Sequence, residues 1–243
     1  MELFNENNRL GSVIHKDHSL LPVINRLGIK LGFGDLTIDE ICKKEGIDPA
    51  FCVEIINVFH YEAYFPEKKL LNFSVAHVVD YLIKTHQYYR QYLIPEIDRL
   101  LQLFLNSCDG KCAESELIRN FYDNFRHECI AHFQIEEDEE FPFILELNRV
   151  IETKADKASF MAKYGNFVVR DFEEDHANID DKMFDLENII IKYLPPQYDQ
   201  NIGNSLLYNL FLFEKDLKNH SRIEDHILLP KVNQLLKSLD DHE

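Results

Sequence analysis

Four histidines and two glutamates recur along this chain at spacings that suit metal binding. The histidines lie 46, 44 and 44 residues apart, and the second and fourth each begin the pattern H-x-x-x-E-x-x-x-x-x-P. The candidate ligands are His86, His132, Glu136, His176, His220 and Glu224. Residues 86–142 and 176–230 therefore look like two copies of one unit, and the sequence predicts a site with internal symmetry.

The apolar residues around these candidates indicate that all six face a helical core. Residues i and i+4 of a helix share one face, so each His-Glu pair directs an imidazole and a carboxylate to the same point. Apolar residues recur at steps of three or four around each candidate, as in Val79, Leu82, His86, Tyr89 and Leu93. This is the period of an amphipathic helix. Because carboxylates buried without partners normally neutralise or coordinate metal, the pattern predicts a metal site.

The ligand types narrow the chemistry of that site. Histidine and carboxylate without thiolate disfavour a structural zinc site or an iron–sulfur cluster, and they suit non-haem iron or manganese. A glutamate on each of two helices can bridge two ions, with the four imidazoles binding them in two pairs. A histidine-rich iron site with open positions favours binding of O2, NO or peroxide over hydrolysis. Ferritin-like bundles build related centres, but they use the order Glu-x-x-His.

The remaining pattern predicts an all-α protein with two domains. Residues 1–66 form a small N-terminal helical domain, in which Thr37 and Glu40 make a capping box and Asp48-Pro49 begins the next helix. Residues 67–243 form an up-down four-helix bundle with helices near 72–106, 114–147, 156–193 and 204–239. Pro95, Pro142 and Pro230 lie inside these helices, where proline kinks or opens the backbone ladder.

Charge and composition exclude several classes of partner. The chain has 26 basic and 43 acidic residues, and its net charge of −17 argues against nucleic acid or an anionic membrane surface. No apolar run approaches the roughly 20 residues of a membrane span, and the first residues do not resemble a signal peptide. Five cysteines without a disulfide spacing suit a reducing cytosol, so a cytoplasmic location is expected. Whether the chain forms a homodimer is left open.

Some residues near the candidate ligands receive other interpretations. In the run EEDEE, Glu136 is in phase with the buried face, while residues 137–140 are predicted to form mostly a solvated face. His77, His127 and His226 fall outside the ligand pattern. Cys108 and Cys112 are interpreted as ordinary exposed loop cysteines, with a redox dithiol as the alternative.

At these residues the chain resembles the hemerythrin-like HHE cation-binding domains, and among them the RIC (repair of iron centres) di-iron proteins, which are also associated with cell morphogenesis and NO signalling. The resemblance rests on the segments YLIKTHQYYRQYLIPEI (81–97), HFQIEEDEEFP (132–142), EEDHANID (173–180) and HSRIEDHILLP (220–230). Oxygen-carrying hemerythrins end with His-x-x-x-x-Asp and have a fifth histidine, whereas this chain has Glu at i+4. In the N-terminal domain, the RIC proteins usually have two adjacent cysteines where this chain has Gly32-Phe33.

The resemblance implies a hemerythrin-like bundle with two iron ions held by the six candidates and bridged by Glu136 and Glu224. It further implies repair of iron–sulfur clusters damaged by nitrosative or oxidative stress, by iron supply, with apo iron–sulfur proteins as partners. A sensor or carrier of O2 or NO is the alternative, and a di-iron oxidase or NO reductase is another. Whether the protein is an enzyme is left open.

Overall fold

The computed structural model describes residues 2–108, 113–154, 157–167, 172–194 and 197–240. Its helices are α1 (Leu10–Lys16), α2 (Leu21–Arg26), α3 (Ile38–Glu45), α4 (Pro49–His60), α5 (Glu67–Leu70), α6 (Val75–Tyr88), α7 (Ile94–Ser107), α8 (Ala113–Ile135), α9 (Phe141–Thr153), α10 (Lys157–Tyr164), α11 (Phe172–Lys192), α12 (Gln200–Ile223) and α13 (Leu229–Asp240). Across these ranges there is no β-strand, only an isolated bridge between Arg9 and Thr37. The predicted all-α class is confirmed.

The helix signals near the N-terminus act as predicted. The Thr37 hydroxyl accepts the backbone N–H of Glu40, and the Glu40 carboxylate accepts the backbone N–H of Thr37 at 2.8 Å. Gly46, with φ of 72°, ends α3 in the left-handed conformation that favours glycine. Asp48 then caps α4 by accepting two backbone N–H groups, with Pro49 as its first residue. Both predicted helices of this region are confirmed.

The chain divides into two compact units, Met1–Thr85 and His86–Glu243. The division falls inside α6, so this helix begins in the first unit, and its last residues, His86 among them, belong to the second. The domain boundary predicted at Pro66 lies earlier in the sequence, before α5, and stays a prediction.

Four helices of the second unit form the bundle. Helix α7 packs against α12, α12 against α11, α11 against α8, and α8 against α7, so the four close into a ring. The inside of the ring is filled by large apolar side chains that are almost fully buried: Phe104, Phe125, Phe133, Met183, Leu186 and Phe213. The apolar period of the sequence therefore marks the face that each helix turns toward the core.

The three helix prolines sit directly after turns of π-helix. The π turns span Tyr89–Leu93, Glu136–Glu140 and Glu224–Leu228, and Pro95, Pro142 and Pro230 follow each of them by two residues. At each turn the N–H of the residue before the proline bonds to the carbonyl five residues back, as Ile94 does to Tyr89. Proline has no N–H and its ring clashes with the carbonyl of residue i−4, and the wider turn accommodates both. The predicted opening of the ladder thus takes the form of a π turn.

Three predicted helix boundaries are wrong. The second helix ends at Thr153 and not near residue 147. The third helix is not continuous over 156–193: α10 ends at Tyr164, the residues from Gly165 to Phe167 are non-helical, and α11 starts at Phe172. Gly165 and Asn166 are poor helix formers, and the Phe167 ring stacks on Phe143 with centroids 4.4 Å apart. Asp156 and residues 168–171 lie outside the described residues. The fourth helix starts at Gln200, four residues early, because Asp199 caps it.

Candidate metal centre

The six candidate ligands come from four helical segments of the second unit. His86 lies near the end of α6, His132 in α8, His176 in α11 and His220 in α12. Glu136 and Glu224 are each the first residue of a π turn, directly after the helices that carry His132 and His220. The ring of helices thus turns four imidazoles and two carboxylates toward one volume.

The donor atoms form two overlapping groups. One contains His86, Glu136, His220 and Glu224, the other His132, Glu136, His176 and Glu224, and within each group the donor atoms lie within 4.8 Å of one another. Each group takes one histidine from each copy of the sequence repeat, and both groups share the two glutamates. We call the His86/His220 group the inner position and the His132/His176 group the outer position.

The two oxygens of each shared carboxylate point to different positions. Glu136 Oε2 lies 3.3 Å from His86 Nε2, while its Oε1 lies 3.1 Å from His132 Nε2. Glu224 Oε1 lies 3.2 Å from His220 Nε2, while its Oε2 lies 3.2 Å from His176 Nε2. A carboxylate that offers one oxygen to each of two positions has the arrangement needed for a bridging ligand.

The inner position has the donor spacing of a metal site. His86 Nε2 and His220 Nε2 lie 2.9 Å apart. Metal–imidazole bonds of about 2.1 Å place two neighbouring donors about 3 Å apart when the angle between the bonds is near 90°. The proton of His86 is held on Nδ1 by the Glu137 carboxylate, so the Nε2 lone pair faces the site.

The shared carboxylates are the strongest indication of a bound cation. Both side chains are at most 1% exposed, and among the described residues none of their four oxygens accepts a hydrogen bond of acceptable geometry. Buried charges without hydrogen bonds are costly unless they are paired or coordinate metal. Nitrogen and oxygen donors without thiolate suit iron or manganese. The residues present therefore fit a two-ion centre.

Two acidic residues that follow the shared glutamates orient the histidines. Glu137 accepts from His86 Nδ1 at 3.0 Å, and Asp225 accepts from His176 Nδ1 at 3.0 Å. Each acid comes directly after a shared glutamate and binds the first histidine of its own repeat copy. The prediction that residues 137–140 are mostly a solvated face is wrong for Glu137 and for the buried Glu140. The acid repeated in both copies was a signal that could have revealed this role.

The electrostatics follow from burial and from these carboxylates. Burial lowers the pKa of His86 despite its contact with Glu137. Burial opposes charge on His176 as well, but Asp225 and Glu224 raise its pKa to about 10. The pKa of Glu224 lies well below its ordinary value, because His220 and His176 outweigh its complete burial. In the metal-free site these contacts favour the protonated form of His176 and the ionised form of Glu224.

Glu137→Gln and Asp225→Asn should each weaken metal binding by about 10- to 100-fold, because they remove a carboxylate that orients a ligand histidine. Isothermal titration with ferrous iron under anaerobic conditions measures the change. Glu139→Gln is the matched control, since this exposed acid lies in the same π turn. Equal affinity for the Glu137 and Glu139 variants would contradict the orienting role.

The other residues considered from sequence lie elsewhere. His77, His127 and His226 are exposed, which fits their exclusion from the ligand pattern. Cys108 is buried, with its thiol directed at the carbonyl of Phe104, so the prediction of an exposed cysteine is wrong at this position. Cys112 lies outside the described residues, so the proposed dithiol is untested. None of the helices in the described ranges has the length and hydropathy needed to cross a membrane.

Comparison with known proteins agrees with this geometry. Residues 77–232 match the family model described as the hemerythrin HHE cation-binding domain, which covers more than half of the chain and all six candidate ligands. No curated protein matches the chain at a significant level. On the strength of the family match, this chain belongs to the hemerythrin HHE cation-binding domain family.

Proposed function

We propose that the chain holds two non-haem iron ions and supplies iron, in the cytoplasm, for the repair of iron–sulfur clusters damaged by nitrosative or oxidative stress. One observation carries the two-ion proposal: two buried donor groups share both carboxylates, and each carboxylate offers one oxygen to each group. The family match supports a cation in this position. The outer position supports release, because the His132 side chain is 10% exposed while the other five candidates are more deeply buried.

Each side chain has a defined task in this proposal. Glu136 and Glu224 would hold both ions, with His86 and His220 on one and His132 and His176 on the other. When bound, the iron would supply the capacity to bind O2, NO or peroxide and to change oxidation state. Phe133 and Phe141 stack against the His86 ring, with centroids 4.5 and 5.8 Å from it, and surround it with apolar surface that excludes water.

A sensor of O2 or NO is the second candidate, and the course of α6 favours it. This helix carries His86 and continues back into the first compact unit. A displacement of His86 would therefore displace part of α6, whose residues belong to both units.

Metal analysis and optical spectra of anaerobically purified protein, before and after exposure to NO, test the proposal. Iron supply predicts two iron ions per chain, some of which are released on exposure to NO or are transferred to an apo iron–sulfur protein in the presence of sulfide. Retained iron with a conformational change would favour sensing instead. Turnover with an electron donor would favour an oxidase or NO reductase. Protein that contains one tightly bound zinc ion and no iron, after expression in iron-replete medium, would refute the di-iron centre.

We also propose that residues 67–243 suffice for metal binding, since all six candidate ligands lie beyond Pro66. The shortened protein keeps α6 whole and should bind about two iron ions and react with NO as the full chain does. Metal analysis after gel filtration measures this. A folded but iron-free product would show that residues 1–66 are needed for the site.

A further inference from the structure

The two metal positions differ in their access to solvent. The inner histidines, His86 and His220, have side chains that are 0% and 2% exposed. The outer histidines, His132 and His176, are 10% and 6% exposed. The buried Phe133 ring also stacks on His86, with centroids 4.5 Å apart, which adds apolar cover to the inner position.

Glu137 and Asp225, the acids that orient His86 and His176, differ in their own charged partners. Glu137, which binds His86 in the inner position, also accepts two hydrogen bonds from Arg90 at 2.5 and 2.6 Å. Asp225, which binds His176 in the outer position, pairs with no lysine or arginine among the described residues. Among the described residues, the carboxylate behind the inner position is paired with an arginine, whereas the one behind the outer position has only His176 as a charged partner.

The sequence repeat shows where this difference comes from. Arg90 lies four residues after His86, and the matching position four residues after His176 is Asp180. Asp180 is half-buried and interacts electrostatically with His176. Lys218 faces Asp180 from α12, but it donates to Glu214 at 2.8 Å. One copy of the repeat thus places a cation beside the site, and the other places an anion at the same register.

We propose that the outer position is the exchange position of the centre, where ferrous iron loads and leaves, while the inner position retains its ion. This inference rests on the proposed two-iron centre and adds the route by which iron is supplied. Negative charge from Asp180 and Asp225 beside a partly open site raises the local concentration of cations and their rate of entry. At the inner position, deeper burial and the pairing of Glu137 with Arg90 both slow the entry and exit of an ion.

Iron release from the full chain separates the two positions. Protein loaded anaerobically with two ferrous ions should release them to a chromogenic ferrous chelator in two phases of about one ion each. His132→Ala, which removes an outer ligand, should abolish the fast phase and leave the slow one. Release of both ions in a single phase would overturn the proposal. Protein that never binds more than one ion would instead refute the two-iron centre, and this proposal with it.

The charge argument has its own matched variants. Asp180→Asn should slow loading of the fast-exchanging ion by roughly threefold at low salt, and the effect should fade as salt screens it. Asp181→Asn makes the same charge change on the exposed neighbouring residue and should load at the original rate, as should the charge-conserving Asp180→Glu. Equal loading rates for the Asp180→Asn and Asp181→Asn variants would overturn the assignment of Asp180.

Discussion

Glu224→Gln should empty both metal positions, whereas His132→Ala should empty only one. The reason is that Glu224 belongs to both donor groups and His132 to one. Glutamine keeps the size of the side chain but loses the negative charge and the second equivalent oxygen, so the ions lose a shared ligand. Iron analysis of protein purified under iron-replete, anaerobic conditions should therefore fall from two ions per chain to nearly none in the first variant and to about one in the second.

His77→Ala is the control for these variants, because His77 is an exposed histidine outside both donor groups. It should keep its full iron content and spectrum. Glu136→Gln should behave like Glu224→Gln, since its two oxygens are divided between the positions in the same way. Full iron and an unchanged spectrum in the Glu224→Gln protein would show that the ligand set is wrong.

The metal-free protein should lose about 3 kcal/mol of folding free energy between pH 6.5 and pH 9 through His176. Although burial opposes it, carboxylates of Asp225 and Glu224 raise the pKa of His176 from an ordinary 6.5 to about 10. A group whose folded pKa is raised contributes stability that is complete below the unfolded pKa and is lost as pH rises through the folded one. Urea unfolding of chelator-treated protein at several pH values measures the slope.

His176→Gln is the comparison for this second prediction, since a side chain that does not titrate removes the effect. Its metal-free stability should vary much less over the same pH range. Bound metal should cancel this slope, because an ion must displace the His176 proton, and its apparent affinity then rises about tenfold per pH unit below pH 10, which offsets the loss of metal-free stability. If the two proteins show the same slope without metal, His176 is not the group responsible.

The fold and the meeting of the candidate side chains could be predicted because both follow from periodic patterns. Amphipathic spacing fixes which face of each helix is buried, and the repeat puts His86, His176 and their partners at matching depths. Capping signals such as Thr37 and Asp48 act locally, so their helices were predicted with accurate starts. The metal-binding role of the six residues remains a proposal, because their arrangement shows only that they can share two ions.

What the sequence did not reveal depends on contacts between distant segments. Glu137 lies in a π turn, which helix periodicity in the sequence does not reveal, and in this turn two successive acids, Glu136 and Glu137, both reach histidines. The break after Tyr164 follows from the stacking of Phe167 on Phe143, which no helical period contains. The early start of α12 reflects a cap by Asp199 in a segment that looked like loop because of its prolines and glycine.

The inner position also joins parts of the chain that are far apart in sequence. His86 and His220 are separated by 134 residues, yet their Nε2 atoms lie 2.9 Å apart. An ion bound by both would close the chain into a loop of that length, as a disulfide does. In the chain-entropy description, closing a loop of about 100 residues raises the free energy of the unfolded state by about 4.7 kcal/mol. The ion would then act as a reversible cross-link, and the resistance of the bundle to unfolding would increase with the supply of metal.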